Sequence, residues 1–213
     1  DLVGEVQAPF SSDQLVTMMF GQCLVRSERP VSALGTEVLA LRDVSVRTHQ
    51  LSVQHASLSV RGGEVIGLAG MEGSGQRLLM QACAGILPVA AGRLEIAGED
   101  MTHQSYQRFL QERVAFVPAA RLEEGMIGGL QIREHLALTR GNGRLFVDWE
   151  DAEARSRAMI DEFRVMGQPQ TLVQELSGGN QQRTLLGLLP ASLRLLILEH
   201  PTRGLDVGSS RWI

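Results

Sequence analysis

The stretch from Val65 to Met80 fits few architectures. Val65-Ile66-Gly67-Leu68-Ala69 is an apolar run that reads as a buried central strand. Gly70-Met71-Glu72-Gly73-Ser74-Gly75 follows at once and leads into Gln76-Arg77-Leu78-Leu79-Met80, a helix start. An apolar strand that turns through glycines directly into a helix belongs to sheets with parallel strands. Glycines lack Cβ, so the backbone of such a loop can approach an anion closely, and the N–H groups from Gly73 to Arg77 can cradle one.

Against the phosphate-loop pattern G-x-x-x-x-G-K-[ST], Gly70 and Gly75 stand in place and Gly73 lies between them. The lysine position holds Gln76 and the hydroxyl position holds Arg77. Glutamine cannot replace a charge that bridges two phosphates, and a charge-assisted hydrogen bond is worth about 1.5–3 kcal/mol. No lysine exists elsewhere to help, because all 20 basic residues are arginine. The missing Ser/Thr hydroxyl would normally hold Mg²⁺, and Arg77 would repel a cation if it faced the site. Three placements are open for Arg77: solvent, an internal carboxylate, or a phosphate. With Ser74 and Leu78, these residues form the candidate nucleotide-binding loop.

Two further motifs lie downstream. Leu176-Ser177-Gly178-Gly179-Asn180-Gln181-Gln182 places a hydroxyl and two glycines before a helix expected from about Asn180. Alone, it could be an ordinary loop capping a helix. Leu195-Leu196-Ile197-Leu198-Glu199-His200-Pro201-Thr202-Arg203-Gly204-Leu205-Asp206 follows it in order. Together they resemble the signature loop, Walker B strand and D-loop of ATP-binding-cassette (ABC) ATPases. The resemblance covers residues from about 37 to 213. It implies an α/β fold of P-loop NTPase type: a RecA-like core with a parallel central sheet, an antiparallel β-subdomain and a helical subdomain at about 130–175, truncated after the D-loop.

The same resemblance exposes a pattern of losses. Glu199 stands where the family has Asp, and His200 stands at the general-base position. A histidine can act as a base near pH 6.5, but here it has little to assist. After Arg113-Val114-Ala115-Phe116-Val117-Pro118, another buried strand, Ala119 stands at the Q-loop position where related importers carry a carboxylate. Gln76, Arg77, Ala119, Glu199 and His200 would all line the nucleotide site that this domain builds with its own loop. Ser177, Gly178, Gly179, Asn180 and Gln181 of the signature, and Gly204, Leu205 and Asp206 of the D-loop, are intact. In ABC dimers these act across the interface, on ATP held by the partner. The resemblance therefore implies a domain whose own site is impaired and whose signature completes the partner's site, with Ser177 and Gly179 on the γ-phosphate and Asp206 aligning the halves.

The rest of the chain fits this plan. Val38–Leu41, Val44–Val46 and Ala56–Val60 alternate as half-buried antiparallel strands, and Arg61–Glu64 is a turn. Gly92–Gly98 reads as a strand, Tyr106–Glu112 as a helix, and Trp149–Arg155 and Ala158–Phe163 as helical, with Met159, Ile160 and Phe163 as core. Gly141-Asn142-Gly143 is a turn. Residues 1–21 resemble the tail of a preceding cassette, with an ordinary amphipathic helix over 14–20 as the alternative, and residues 22–36 read as a linker. The chain begins without Met and stops soon after the D-loop, so it is expected to be a segment of a longer protein. Net charge is −4, which does not favour nucleic acid as a partner, and two well-separated cysteines argue against a structural metal.

The motifs are most similar to tandem-cassette ATPases of bacterial monosaccharide and nucleoside importers, whose second cassette commonly has a degenerate loop. The Glu72-Gly73-Ser74-Gly75-Gln76 core leans towards the nucleoside branch. The implied cofactors are ATP and Mg²⁺ at a composite site, with weak or no nucleotide at the domain's own loop. The implied partners are the first cassette of the same polypeptide, membrane permease subunits and, indirectly, a periplasmic or lipoprotein substrate-binding protein. The implied place is the cytoplasmic face of the membrane. The alternatives are a non-hydrolysing nucleotide-binding regulatory module, a soluble non-transport ABC protein, and an independent ATPase using His200.

Overall fold

The computed structural model describes residues 33–139 and 146–213, together with residues 8 and 18. The helix expected over 14–20, most of the linker and the Gly141-Asn142-Gly143 turn lie outside the described residues.

Residues from Leu34 onward form one compact unit. Strand β1 (Glu37–Arg47) pairs antiparallel with β2 (Ser52–Arg61) on one side and with β3 (Ala91–Ile96) on the other, and β4 (Glu99–Asp100) continues the sheet. The two short runs expected at 38–41 and 44–46 are one strand. Asp43, with φ 57°, makes the irregularity between them, and the register shifts between Leu41 and Val44. The inner face of this sheet (Leu39, Leu41, Val44, Leu94, Ile96) packs against helix α1 (Gln76–Cys83) and Phe109 of α2 (Tyr106–Gln111). Each fully buried aliphatic side chain there contributes about 1.5–3 kcal/mol.

The parallel part of the fold is the pair β5 (Val114–Val117) and β6 (Leu195–Leu198), in register from Val114 opposite Leu195 to Val117 opposite Leu198. A second core joins Val117 to the helical part. It contains Ile132 and Leu136 of α3 (Ile132–Leu138), Met159 of α4 (Trp149–Phe163) and Leu185 of α5 (Gly178–Gly187). Residues 149–163 are one helix rather than two, capped by the Asp148 carboxylate on Asp151 N–H. Met159 is core, as the spacing indicates. A last helix, α6 (Val207–Trp212), follows β6.

The expected central strand at 65–69 is not formed. Val65 is 77% exposed and Leu68 42% exposed, and the segment has no strand pairing among the described residues. The physical reason is the lack of a ladder partner. β5 and β6 pair with each other, and no described strand pairs with 65–69. Leu196 on β6 is 42% exposed between the buried Leu195 and Ile197, so one face of this two-stranded sheet is also uncovered. No helix among the described residues is long and apolar enough to cross a membrane.

Candidate functional site

The glycine loop has the turn its sequence demands. Ser74 N–H donates to Met71 carbonyl oxygen, and Gly73 (φ 80°) and Gly75 (φ 110°) sit where side chains are disfavoured. Gly75 is doubly required, because a Cβ there would lie 2.4 Å from Val53 Cγ2 on β2. α1 begins at Gln76, as expected, and the Leu78 side chain packs against the first core.

Side chains fill this loop. Ser74 Oγ lies 2.8 Å from Met71 carbonyl oxygen and 2.9 Å from Gln76 Oε1, and Gln76 Nε2 donates to Met71 carbonyl oxygen at 3.4 Å. Gln76 thus folds back over Gly70. A Cβ on Gly70 would meet Gln76 Nε2 at 2.1 Å and Ser74 Oγ at 2.9 Å. Where a lysine would reach outward to phosphate, the neutral amide satisfies itself on its own loop.

Arg77 takes the internal-carboxylate placement. Its Nη2 lies 2.6 and 2.5 Å from the two oxygens of Glu124, and its Nη1 lies 3.5 Å from Glu199 Oε1. Glu124 is presented by a π-helical turn, Arg121–Gly125, which follows the Q-loop position. Hydrogen bonding to Glu124 holds the Arg77 guanidinium above the ordinary arginine value, and the charge of Glu199 adds to it. Glu199 is buried, and its other oxygen accepts from Ala119 N–H at 3.2 Å. So Arg77, Ala119 and Glu199 converge, Glu124 joins them, and Gln76 and His200 make no contact with this cluster in the bonds described. Glu124 was not visible beforehand because it sits forty-seven residues from Arg77 in a turn without a motif.

The residues present do not fit Mg²⁺ at this loop. The position of the metal-holding hydroxyl carries a guanidinium, and that cation is paired with the Glu199 carboxylate that a metal would need. Among the described residues no group of three His, Cys, Asp or Glu is placed to hold a metal ion. His200 is exposed, in a left-handed backbone conformation at φ 44°, with its carbonyl accepting from Arg203 N–H at 3.0 Å.

The signature is built differently. α5 starts at Gly178, two residues earlier than expected, with Ser177 at the N-cap. Asn180 Nδ2 donates to Ser177 Oγ at 2.9 Å, while Asn180 Oδ1 accepts from Met166 N–H at 2.8 Å, which fixes the serine's rotamer. Gln181 Nε2 donates to Leu176 carbonyl oxygen at 3.0 Å and anchors the loop from below. Ser177 is exposed and Gly178 half-buried, so these two face outward. Gly179 is buried, because α6 packs on it: a Cβ there would lie 2.4 Å from Ser209 Oγ. Gly179 therefore also serves packing, and Ser177 and Gly178 are the more exposed residues of the loop.

Asp206 caps α6. Its Oδ1 accepts from Ser209 N–H at 2.9 Å and its Oδ2 from Ser209 Oγ at 2.6 Å, and these bonds hold its carboxyl below the usual range. The D-loop thereby lies against the signature. A Cβ on Gly178 would be 3.7 Å from Gly204 carbonyl oxygen and 3.9 Å from Leu205 Cδ2.

Comparison with known proteins gives the context. The family profile described as ABC transporter matches residues 53–203. The nucleoside import ATP-binding protein NupA of Lactococcus lactis is 30% identical over 95% of this chain and 42% of its own length. The ribose import ATP-binding protein RbsA 1 of Rubrobacter xylanophilus is 34% identical over 98% of this chain and 42% of its own. The chain spans about two fifths of the length of these relatives. Among solved structures, the dimeric ATP-binding cassette MJ0796 bound to ADP and Pi superposes with a TM-score of 0.68 at 18% identity, over 82% of this chain and 79% of that one. The MJ1267 cassette gives 0.67 at 18% identity, over 83% and 74%.

Proposed function

The chain belongs to the ABC transporter family of ATP-binding proteins, and from that premise we propose that it is a second cassette whose own nucleotide site is closed and whose signature completes the ATP site of a partner cassette. One observation carries this reading: Arg77 is paired with Glu124 and Glu199, so an internal cation occupies the place that a metal-bound nucleotide would need, while Ser177 stands exposed and pre-oriented by Asn180. The chemistry at stake is phosphoryl transfer, which depends on positioned charge. At residues 70–77 the charges neutralise each other within the chain. At the signature the exposed Ser177 Oγ, with Gly178 beside it, faces outward.

The two sides have separate roles. Ser177 Oγ, with the first turn of α5, is the donor set offered to a γ-phosphate held elsewhere. The D-loop, packed on Gly178 and Gly179, sets the height of that surface. In the whole protein this half-site serves an importer for simple sugars or nucleosides, with a first cassette and membrane permease subunits as partners and a substrate-binding protein upstream, at the cytoplasmic face of the membrane. The names of the relatives support the importer class. Both substrate classes stand among them, ribose and nucleosides, and the choice between them rests with subunits outside this chain.

A second reading has its own support. The turn at 70–75 keeps its phosphate-loop shape, with Gly73 and Gly75 in left-handed conformations, which suits a regulatory site that holds nucleotide without hydrolysis. Calorimetric titration of the full-length protein separates the two. One Mg-ATP per polypeptide is expected for a closed loop at 70–77. Two nucleotides per polypeptide, the second bound with or without Mg²⁺, would establish the regulatory reading instead.

A further inference from the structure

We propose that Arg121 is a positioning residue that locks the signature helix and the D-loop into one surface. The proposal rests on the reading that Ser177 acts on a partner's nucleotide. Arg121 opens the π-helical turn after β5. Its Nε donates to Gln182 Oε1 at 2.6 Å, on the inner side of α5, and its Nη2 donates to Arg203 carbonyl oxygen at 2.5 Å, at the entrance of the D-loop. A Cβ on Gly178 would lie 3.6 Å from Arg121 Nη1. One guanidinium therefore touches the turn below the site, the helix that carries the signature, and the loop that follows β6.

Three features indicate that this bridge is specific. The first is geometry. The planar fork of arginine donates in two directions at once, to Gln182 and to Arg203, which an ammonium on a single stem does not reproduce. The second is burial. Arg121 is partly buried, and this burial lowers its pKa, so the guanidinium gives up water to reach Gln182 and Arg203. The third is Gln182 itself, which is 2% exposed and has its Nε2 without a hydrogen-bond partner among the described residues. Turning the amide over would bring its NH₂ against the guanidinium, donor against donor. Gln182 thus accepts an unmatched buried donor in order to present Oε1 to Arg121.

The effect on function follows from where the bridge sits. Ser177 is on the first turn of α5 and Gly204 and Leu205 lie beside Gly178, so a slip between helix and loop moves the serine relative to a phosphate across the interface. Misplacement of a group that acts in the transition state lowers kcat more than it raises KM. Arg121 touches no nucleotide in this account. It acts through Gln182 and Arg203.

The test uses the full-length protein with its membrane subunits and measures ATPase kcat and KM, with Ser177→Arg run beside it. Arg121→Met is expected to lower kcat by about tenfold or more, as loss of a charged bond does, with KM for ATP changed by less than about threefold. Arg121→Lys, which preserves charge and folding, is expected to fall in between, and adding Gln182→Glu to it is expected to restore part of the loss through a Lys–Glu pair. Normal kcat in folded Arg121→Met overturns the inference. If that variant does not fold, wild-type kcat in Arg121→Lys overturns it equally. A drop in kcat that Gln182→Glu does not recover at all also counts against it. Ser177→Arg separates the two levels: if it is inactive while the Arg121 variants are normal, only this inference fails, and if it is active, the reading beneath it fails as well.

Discussion

Nη1 of Arg77 lies 3.5 Å from Oε1 of Glu199, and the same guanidinium is held by both oxygens of Glu124. The first residue stands where a phosphate loop has its metal-holding hydroxyl, and the second ends the strand that normally presents a metal-facing acid. Under the function proposed above, this pair puts an intramolecular salt bridge where a nucleotide site would need its metal, and it draws positions 77, 119 and 199 into one cluster.

Breaking this pair should be felt as stability. Arg77→Met leaves Glu199 buried with only the Ala119 N–H to bond. Arg77 is 41% exposed, so solvent screening limits the cost to about 1 kcal/mol. That corresponds to a fall in Tm of about 2–4 °C. Glu124→Gln removes a pairing between two half-exposed groups and should cost less. Differential scanning calorimetry of the three proteins checks the order wild type, Glu124→Gln, Arg77→Met.

Gly179→Ala should disturb the contact between signature and D-loop. The new methyl would lie 2.4 Å from Ser209 Oγ, which is itself held by Asp206. Overpacking of this kind costs about 1–3 kcal/mol. Adding Ser209→Ala removes the nearest atom and leaves one at 3.1 Å, so the double variant should recover part of the lost stability. Equal melting curves for the single and double variants would refute the contact.

The Asp206 cap should be acid-sensitive in one direction. Hydrogen bonds from Ser209 depress its folded-state pKa below the unfolded value of about 3.9. Its contribution is therefore complete above that unfolded value and is lost as pH falls through the lower, folded value. Carboxyl-carbon NMR of Asp206 should show a midpoint below that of a model aspartate, and Ser209→Ala should move it back up. A midpoint unchanged by Ser209→Ala would contradict the assignment of cause.

Much of this was legible in the residues because motifs are local. The glycine loop, the helix behind it, β5, β6 and the order of the signature and D-loop all follow from spacing and apolar pattern. The strand at 65–69 was misread because an apolar run reports the wish to be buried, while a parallel strand forms only beside a partner, and partnership is not local. Gly179 reads as a phosphate glycine because it lacks a side chain, and the structure adds a second reason that no local pattern shows, the packing of Ser209 against it. The bridging contacts of Arg121 and Glu124 are hidden for the opposite reason. Their roles come from residues distant in sequence, Gln182 and Arg203 for the first and Arg77 for the second, and no spacing announces such pairs.

The central claim divides the labour between two ends of one chain, and ATPase activity of the full-length protein tests it most directly. Ser177→Arg places a bulky charge on the exposed donor and is expected to abolish turnover. Gln76→Lys restores the missing lysine but leaves Arg77 on Glu199, and is expected to change the rate by less than about twofold. Full activity in Ser177→Arg, or a several-fold gain in Gln76→Lys, would contradict the account.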